Sequence, residues 1–264
     1  MEFNSYKAVL FRREGKILHV TMNRPETLNA FDVDLDTDFA RLFTDITNDP
    51  ETDVVVLTGA GRAFSAGGDI GHMEHLLAHP EEFGEGAMRA KQIVFSMLDC
   101  PKPIIAKVNG HAVGLGATVA LYSDIIFASE TAKFGDPHVK VGFTAGDGGA
   151  IIWPQHAGYA KAKHYLFTGD LVSAPEAERI GLITFVVTPE KLDEAVDAYA
   201  RRLASGATKA IQWTKMSVNI GLKQLAHTMM DTSIAYENLS NYTQDHAEAV
   251  RAFREKRPPK FTGK

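Results

Sequence analysis

The feature that most constrains this chain is an order of elements that occurs twice. The apolar run Val54-Val55-Val56-Leu57 meets Thr58-Gly59 and enters Gly61-Arg62-Ala63-Phe64-Ser65-Ala66-Gly67-Gly68-Asp69-Ile70, after which a helix opens. Ile104-Ile105-Ala106-Lys107-Val108 likewise enters Asn109-Gly110-His111-Ala112-Val113-Gly114-Leu115-Gly116-Ala117-Thr118 and a second helix. A short buried strand, a glycine loop and a helix, repeated, argue for α/β rather than a sandwich. The glycines supply positive φ and let the backbone approach a ligand without a Cβ in the way. Backbone N–H groups in such loops stabilise negative charge. Asp69 is placed to cap the helix that follows it.

The rest of the chain fits that frame. Residues 7–12 and 16–22 are β-prone runs around Glu14-Gly15, which predicts a hairpin. Asp32 or Asp34 can cap a helix running to Asn48, with Leu35, Phe39, Leu42, Phe43 and Ile46 on one face. Residues 69–78 and 86–99 read as helices separated by a polar stretch at Pro80-Glu81-Glu82, and 124–128 as a strand with a remnant at 133–135. Beyond residue 136 helical segments dominate: 150–156, 158–167, 174–180, 189–205, 208–220, 222–243 and 245–256. The division expected is a core over 1–190 and a C-terminal helical region over 191–264.

The net charge of −5 argues against nucleic acid, whose phosphates need a basic face, but not against a small anion held locally. Cys100 is the single cysteine and reads as a buried small hydrophobe; it excludes an intrachain disulfide and fits a reducing compartment. The polar opening Met1-Glu2-Phe3-Asn4-Ser5 does not read as a leader, and no apolar run approaches a membrane span of about 18 residues. A cytoplasmic protein without membrane contact is expected. No His-Glu-x-x-His, Gly-x-Ser-x-Gly or nucleotide-binding loop occurs, so neither a metal nor a separate cofactor is indicated.

The two glycine loops at this separation resemble those of the crotonase (enoyl-CoA hydratase/isomerase) superfamily. Asn23-Arg24-Pro25 with Leu28-Asn29-Ala30, Ser123-Asp124-Ile125, Phe134-Gly135, Ala174-Pro175-Glu176-Ala177 with Gly181-Leu182-Ile183, and Phe253-Arg254-Glu255-Lys256-Arg257 follow in the order of that family. The resemblance implies a spiral of β-β-α turns with a C-terminal helical layer. It implies homotrimers, often paired into hexamers, and an acyl-CoA thioester as substrate. It places the two N–H groups of an oxyanion hole on Gly68 and Leu115. It places CoA-binding positions on Arg24, Leu28, Ala66, Gly68, Asp69, Ile70, Gly114, Leu115, Phe253 and Lys256. The Ala66 carbonyl would meet the adenine amino group, and Phe253 and Lys256 would reach the CoA of a neighbouring subunit. Lys256 equally reads as one cation of a solvated tail.

The departures bear on the chemistry. The two glutamates that hydratases of this family use fall on Thr118 and His138. Thr118 can only exchange hydrogen bonds, whereas His138 can act as base and then acid with an ordinary pKa of about 6.5. Asp147 is the other proton-carrier candidate; the loop acid of some isomerases falls one residue earlier, on Gly146, and Asp147 equally reads as a helix cap. His72, Glu74 and His75 read as a surface face, His111 as a packed residue, and Asp69 and Asp124 as caps. Residues 71–98, Phe143, Trp153 and Trp213 are candidates for the acyl pocket, with a packed-core role as the default.

The resemblance implies an enzyme that stabilises a thioester enolate, of the enoyl-CoA hydratase or isomerase type. The loss of both glutamates leaves open a double-bond isomerase needing one base, an acyl-CoA decarboxylase or hydrolase, and a non-catalytic CoA-binding or assembly protein.

Overall fold

The apolar runs pair much as their pattern predicts. In the computed structural model, which describes residues 3–264 apart from the side chain of Ile70, β1 (Val9–Glu14) and β2 (Ile17–Met22) form an antiparallel hairpin. Parallel strands then add one by one: β3 (Val54–Gly59) on β2, β5 (Ile104–Val108) on β3, and β7 (Ile125–Ser129) on β5. A late strand, β10 (Phe185–Val187), closes this sheet beside β7.

Each long strand turns a corner into a short one. These are β4 (Ala63–Ser65), β6 (His111–Val113) and β8 (Lys133–Gly135), parallel neighbours in a second sheet completed by β9 (Val172–Ser173). Inside the two stretches that the sequence presents as loops there are thus three-residue strands. Local propensity hides them, because their partners are the equivalent strands of the next turn. The corner tolerates no side chain at Gly110, where a Cβ would lie 2.1 Å from the Arg62 carbonyl oxygen. Asn29, itself left-handed, ties the same corner by donating to Ala60 O at 2.9 Å and Ala63 O at 3.0 Å.

Helices close each turn. α1 (Val33–Asn48) is capped by Asp32, whose carboxylate accepts from Leu35 N, and buries Leu35, Phe39, Leu42, Phe43 and Ile46 completely. Full burial of such side chains contributes roughly 1.5–3 kcal/mol each. α2 (Ile70–Ala78) is capped by Asp69, which accepts from His72 N at 2.9 Å. α3 (Phe83–Asp99) and α4 (Leu115–Leu121) follow, then α5 (Gly149–Ala157), α6 (Tyr159–Thr168) and α7 (Ala174–Arg179). Cys100 is buried, as its reading as a small hydrophobe requires.

The C-terminal part holds α8 (Leu192–Ala204), α9 (Thr208–Asn241) and α10 (Gln244–Arg254). The two helices expected at 208–220 and 222–243 are one. Gly221 between them lies on the exposed face, and a lone helix-interior glycine costs only about 1 kcal/mol. Two buried lysines tie this layer to the core. Lys102 donates to the carbonyls of Ile46 and Asp49 at the end of α1. Lys215 on α9 donates to the Lys102 carbonyl at 3.0 Å and pairs with Asp124 at 2.7 Å. Asp124 is therefore an ion-pair partner, and it also accepts from Ile104 N, rather than a helix cap. His111 is exposed rather than packed. Among the described residues no helix is long and apolar enough to cross a membrane.

Candidate active site

The small sheet assembles the site. Ligands in open parallel sheets gather beyond the carboxyl ends of the strands, and here β4, β6 and β8 release three loops at one edge. They carry Gly67-Gly68-Asp69, Gly114-Leu115 and Asp136-Pro137-His138. The first two loops touch. Gly67 has φ 85°, and a Cβ on it would lie 2.8 Å from the Val113 carbonyl oxygen and 3.4 Å from Gly114 Cα.

Both expected oxyanion donors are free of intramolecular acceptors, for separate local reasons. Phe31 and Gly68 form a parallel bridge in which Phe31 supplies both bonding groups: Phe31 N donates to Gly67 O, and Asp69 N donates to Phe31 O. The Gly68 N–H stands between those bonds and enters neither. Leu115 is the first residue of α4, where an N–H has no acceptor one turn back. Among the described residues no hydrogen bond from either group is present.

Two cavities meet at this edge. One of about 110 Å³ is walled by Phe31, Leu76, Phe83, Ala87, Ala90 and Phe143, with Asp36, His138, Asp147 and Glu237 as its buried polar members. A channel of about 340 Å³ is lined by Ala66, Gly114, Val113, Lys140, Phe253 and Arg257, among others. Gly68, Met73 and His138 border both.

Three carboxylates come together around His138. Its Nδ1 hydrogen-bonds Asp136, its Nε2 lies 3.5 Å from Asp147 Oδ2 and 3.9 Å from Glu237 Oε1, and its side chain is 11% exposed. Burial opposes charging the imidazole, but the carboxylates of Asp136 and Asp147, the hydrogen bond to Asp136 and the charge of Glu237 outweigh it. Together they raise His138 well above the ordinary histidine range. The surrounding carboxylates thus favour the charged form of the ring, against its burial. Burial raises Asp147 against the opposing charge of His138. Burial, then the charge of Asp147, pushes Glu237 up to about 8, again opposed by His138. Thr118, fully buried, donates to Asp147 Oδ1 at 3.4 Å.

Asp147 also keeps part of a capping role: it stands one residue before the N-cap Gly148 of α5, and its carboxylate accepts from the N–H of Gly149, the first residue of that helix. The preceding position, Gly146, has no room for an acid. A Cβ there would lie 2.5 Å from the Ser233 carbonyl oxygen and 2.6 Å from Glu237 Cβ. The loop packs directly on α9, and α9 itself brings Glu237 to the same place.

The other expected residues divide clearly. Gly68, Asp69 and Leu115 line the cavity, and Ala66, Gly68, Gly114 and Phe253 line the channel. Arg24 and Leu28 line neither; the Arg24 guanidinium donates to Asp32 at 3.4 Å and Asp34 at 3.2 Å. Lys256 is exposed, with φ 53°, and lies outside the channel wall. Ile70 begins α2, but its side chain lies outside the described residues. Trp153 is in the core and Trp213 is exposed, so of the three aromatic pocket candidates only Phe143 lines the cavity. His72 also lines it, contrary to a purely surface role. Asp136, His138 and Asp147 offer atoms within 4.8 Å of one another, as a metal set would, and so do His79, Glu81 and Glu82 on the surface.

A family model described as enoyl-CoA hydratase/isomerase matches residues 12–264. The chain belongs to that family. It is 37% identical over 264 residues to a short-chain-enoyl-CoA hydratase of Clostridium acetobutylicum, covering 97% of each chain. It is 34% identical over 258 residues to a 1,2-epoxyphenylacetyl-CoA isomerase of Escherichia coli, covering 97% of this chain and 98% of the other. A crystal structure of an enoyl-CoA hydratase/isomerase from Mycobacterium paratuberculosis superposes with a TM-score of 0.88 at 38% identity, over 92% of this chain and 97% of that one. The fold, the enzyme class and the acyl-CoA thioester as kind of substrate follow from this membership. The non-catalytic alternative does not accord with it.

Two members of the carboxylate cluster escape a motif reading. Glu237 carries a helical signal, because Ala226, Met230, Ser233, Glu237 and Asn241 recur at spacings of three and four and are all buried. Asp36 stands three and seven residues before Phe39 and Phe43, on the apolar face of α1.

Proposed function

We propose that this chain shifts a proton along an enoyl-CoA thioester, converting a β,γ- to an α,β-double bond, with hydration as a weaker activity. The observation that carries this is the linked set Thr118–Asp147–His138–Asp136 standing where a hydratase of the resemblance would carry two glutamates. Hydration needs two groups that hold and split a water. A double-bond shift needs one base and a held oxyanion.

In this reading the ionised carboxylate of Asp147 takes a proton from C2. The C2–H electron pair moves into the thioester to give a dienolate, whose oxygen rests on the N–H groups of Gly68 and Leu115. The same carboxyl returns its proton at C4, leaving the double bond between C2 and C3, so no co-reactant is consumed. Oxyanion donors aimed in advance at developing charge in a closed site contribute strongly to such a step. The charge on His138, held by Asp136, favours the ionised form of Asp147 against its burial, and Thr118 orients it. Ala66, Gly114, Phe253 and Lys140 line the path of the pantetheine and phosphates, while Arg24, Leu28 and Lys256 act on CoA only if its nucleotide extends beyond the channel. The step draws on no cofactor besides the CoA of the substrate.

The test pairs but-3-enoyl-CoA with crotonyl-CoA. Isomerisation of the first should exceed hydration of the second at least about tenfold, and Asp147→Asn should slow isomerisation about 10²–10⁴-fold. Faster hydration of crotonyl-CoA, or an unimpaired Asn variant, would refute the assignment. We further propose a homotrimer, or a hexamer of paired trimers, in the cytoplasm. Trp213, Val218, Ile220 and Leu239 of α9 are all more than half exposed and supply an apolar contact surface. Light scattering should return three or six chain masses; a monomer would overturn this.

A further inference from the structure

We propose that the wall of the acyl cavity recognises a hydrogen-bond donor on the acyl chain, so that the substrate class is a short acyl-CoA with a terminal hydroxyl. This rests on the reading of that cavity as the acyl site.

The group responsible is Asp36. It lies in the first turn of α1, lines the cavity and not the channel, and is 7% exposed. Among the described residues its carboxylate makes no hydrogen bond or ion pair, and Oδ1 is enclosed with no partner. Arg89, the cation facing it from α3, reaches Glu85 at 3.8 Å instead, and its own Nε is enclosed without a partner. Burial raises Asp36 to about 7, against Arg89 and with the charges of Asp32 and Asp147 adding to the rise.

A pocket built only for a hydrocarbon chain has no use for such a group. Buried polar atoms almost always have partners, and an unpaired carboxylate beside Phe31, Leu76, Ala87 and Ala90 is costly where leucine would pack. Ligand pockets are mostly apolar, with a few polar groups that set orientation. In its ionised form the carboxylate only accepts hydrogen bonds, so the partner that form selects must donate: a hydroxyl fits, and a second ionised carboxylate is repelled. The cavity of about 110 Å³ is smaller than the ~150 Å³ that takes benzene. It suits a short chain.

Calorimetric binding to the intact protein separates the possibilities. The probes are butyryl-CoA, pentanoyl-CoA, 4-hydroxybutyryl-CoA, 5-hydroxypentanoyl-CoA, glutaryl-CoA and free CoA. At least one terminally hydroxylated chain should bind about ten- to hundredfold tighter than its alkyl counterpart. Asp36→Leu should abolish that preference. Asp36→Asn, which keeps an acceptor and nearly the same shape, should retain part of it and carries the test if the Leu variant does not fold. Equal binding of hydroxylated and alkyl chains, a preference unchanged in the variants, or tightest binding of glutaryl-CoA overturns the proposal. Binding of every acyl-CoA no tighter than free CoA instead overturns the acyl-site reading beneath it.

Discussion

Replacing Gly67 by alanine should damage turnover far more than binding. Gly67 sits at φ 85°, where a Cβ costs about 1–2 kcal/mol. That Cβ would also lie 2.8 Å from the Val113 carbonyl oxygen. The oxygen belongs to the end of β6, a strand paired on both sides, so it cannot swing away as a flexible side chain would. The two glycine loops must part by several tenths of an ångström, bringing the total to roughly 2–4 kcal/mol. At about 2–4 °C per kcal/mol for a chain of this size, the melting temperature should fall by roughly 4–16 °C. The same movement would pull the Gly68 N–H off the oxyanion position proposed for it. Loss of one oxyanion donor typically costs about 10²–10³ in kcat. Because that contact is made chiefly in the transition state, KM should change much less. Melting curves and steady-state kinetics on but-3-enoyl-CoA measure both effects. Gly221→Ala is the control: the residue is exposed on α9 with nothing within 4 Å of a new Cβ, so it should stabilise by about 1 kcal/mol and leave kcat alone. If Gly67→Ala melts and turns over like the parent, the contact between the loops does not set the donor geometry.

Further predictions concern the charges. Glu237, raised to about 8 from 4.5, lends stability that is whole below the unfolded value and lost as pH climbs through the folded one. Glu237→Gln cannot ionise, so the parent should lose stability relative to it between roughly pH 5 and 8, by at most about 1.4 kcal/mol per pH unit; a pH-independent difference in urea melts would contradict this. Lys215→Met removes the partner of the Asp124 carboxylate, whose side chain is 23% exposed, and should cost about 1.5–3 kcal/mol, with Asp124→Asn restoring part of it. Strictly additive losses in the double variant would show that the pair is not coupled. Lys140 lines the channel with its ammonium half-exposed, 3.3 Å from Asp170. Lys140→Ala should raise KM for acyl-CoA about three- to tenfold at unchanged kcat, and an unchanged KM would remove it from the phosphate path.

Much of the architecture is written in local pattern. The face formed by Leu35, Phe39, Leu42, Phe43 and Ile46 announces α1, and Asp32 and Asp69 announce their helix starts. The unbonded N–H groups of Gly68 and Leu115 are legible for a related reason. Backbone N–H donors need loops of particular glycine content, so the requirement is inscribed in contiguous residues. The short strands β4 and β6 were not legible, because three residues carry almost no periodic signal and their pairing is with a different turn of the spiral. The unity of α9 was hidden by Gly221, whose modest cost the tertiary packing overrides.

The proton chemistry lies at the opposite end of that scale. By itself the sequence determined which family the backbone donors belong to, and that Thr118 and His138 replace two glutamates. Only the tertiary structure decided what His138 becomes. Its charge state depends on three carboxylates: Asp136 two residues away, Asp147 from the next loop and Glu237 from α9. Asp36 in the cavity wall comes from α1, at the other end of the chain. Donor geometry is a property of consecutive backbone atoms, and a sequence can record it. A pKa is a property of everything within a few ångströms, drawn from segments a hundred residues apart, and only the folded chain brings those together.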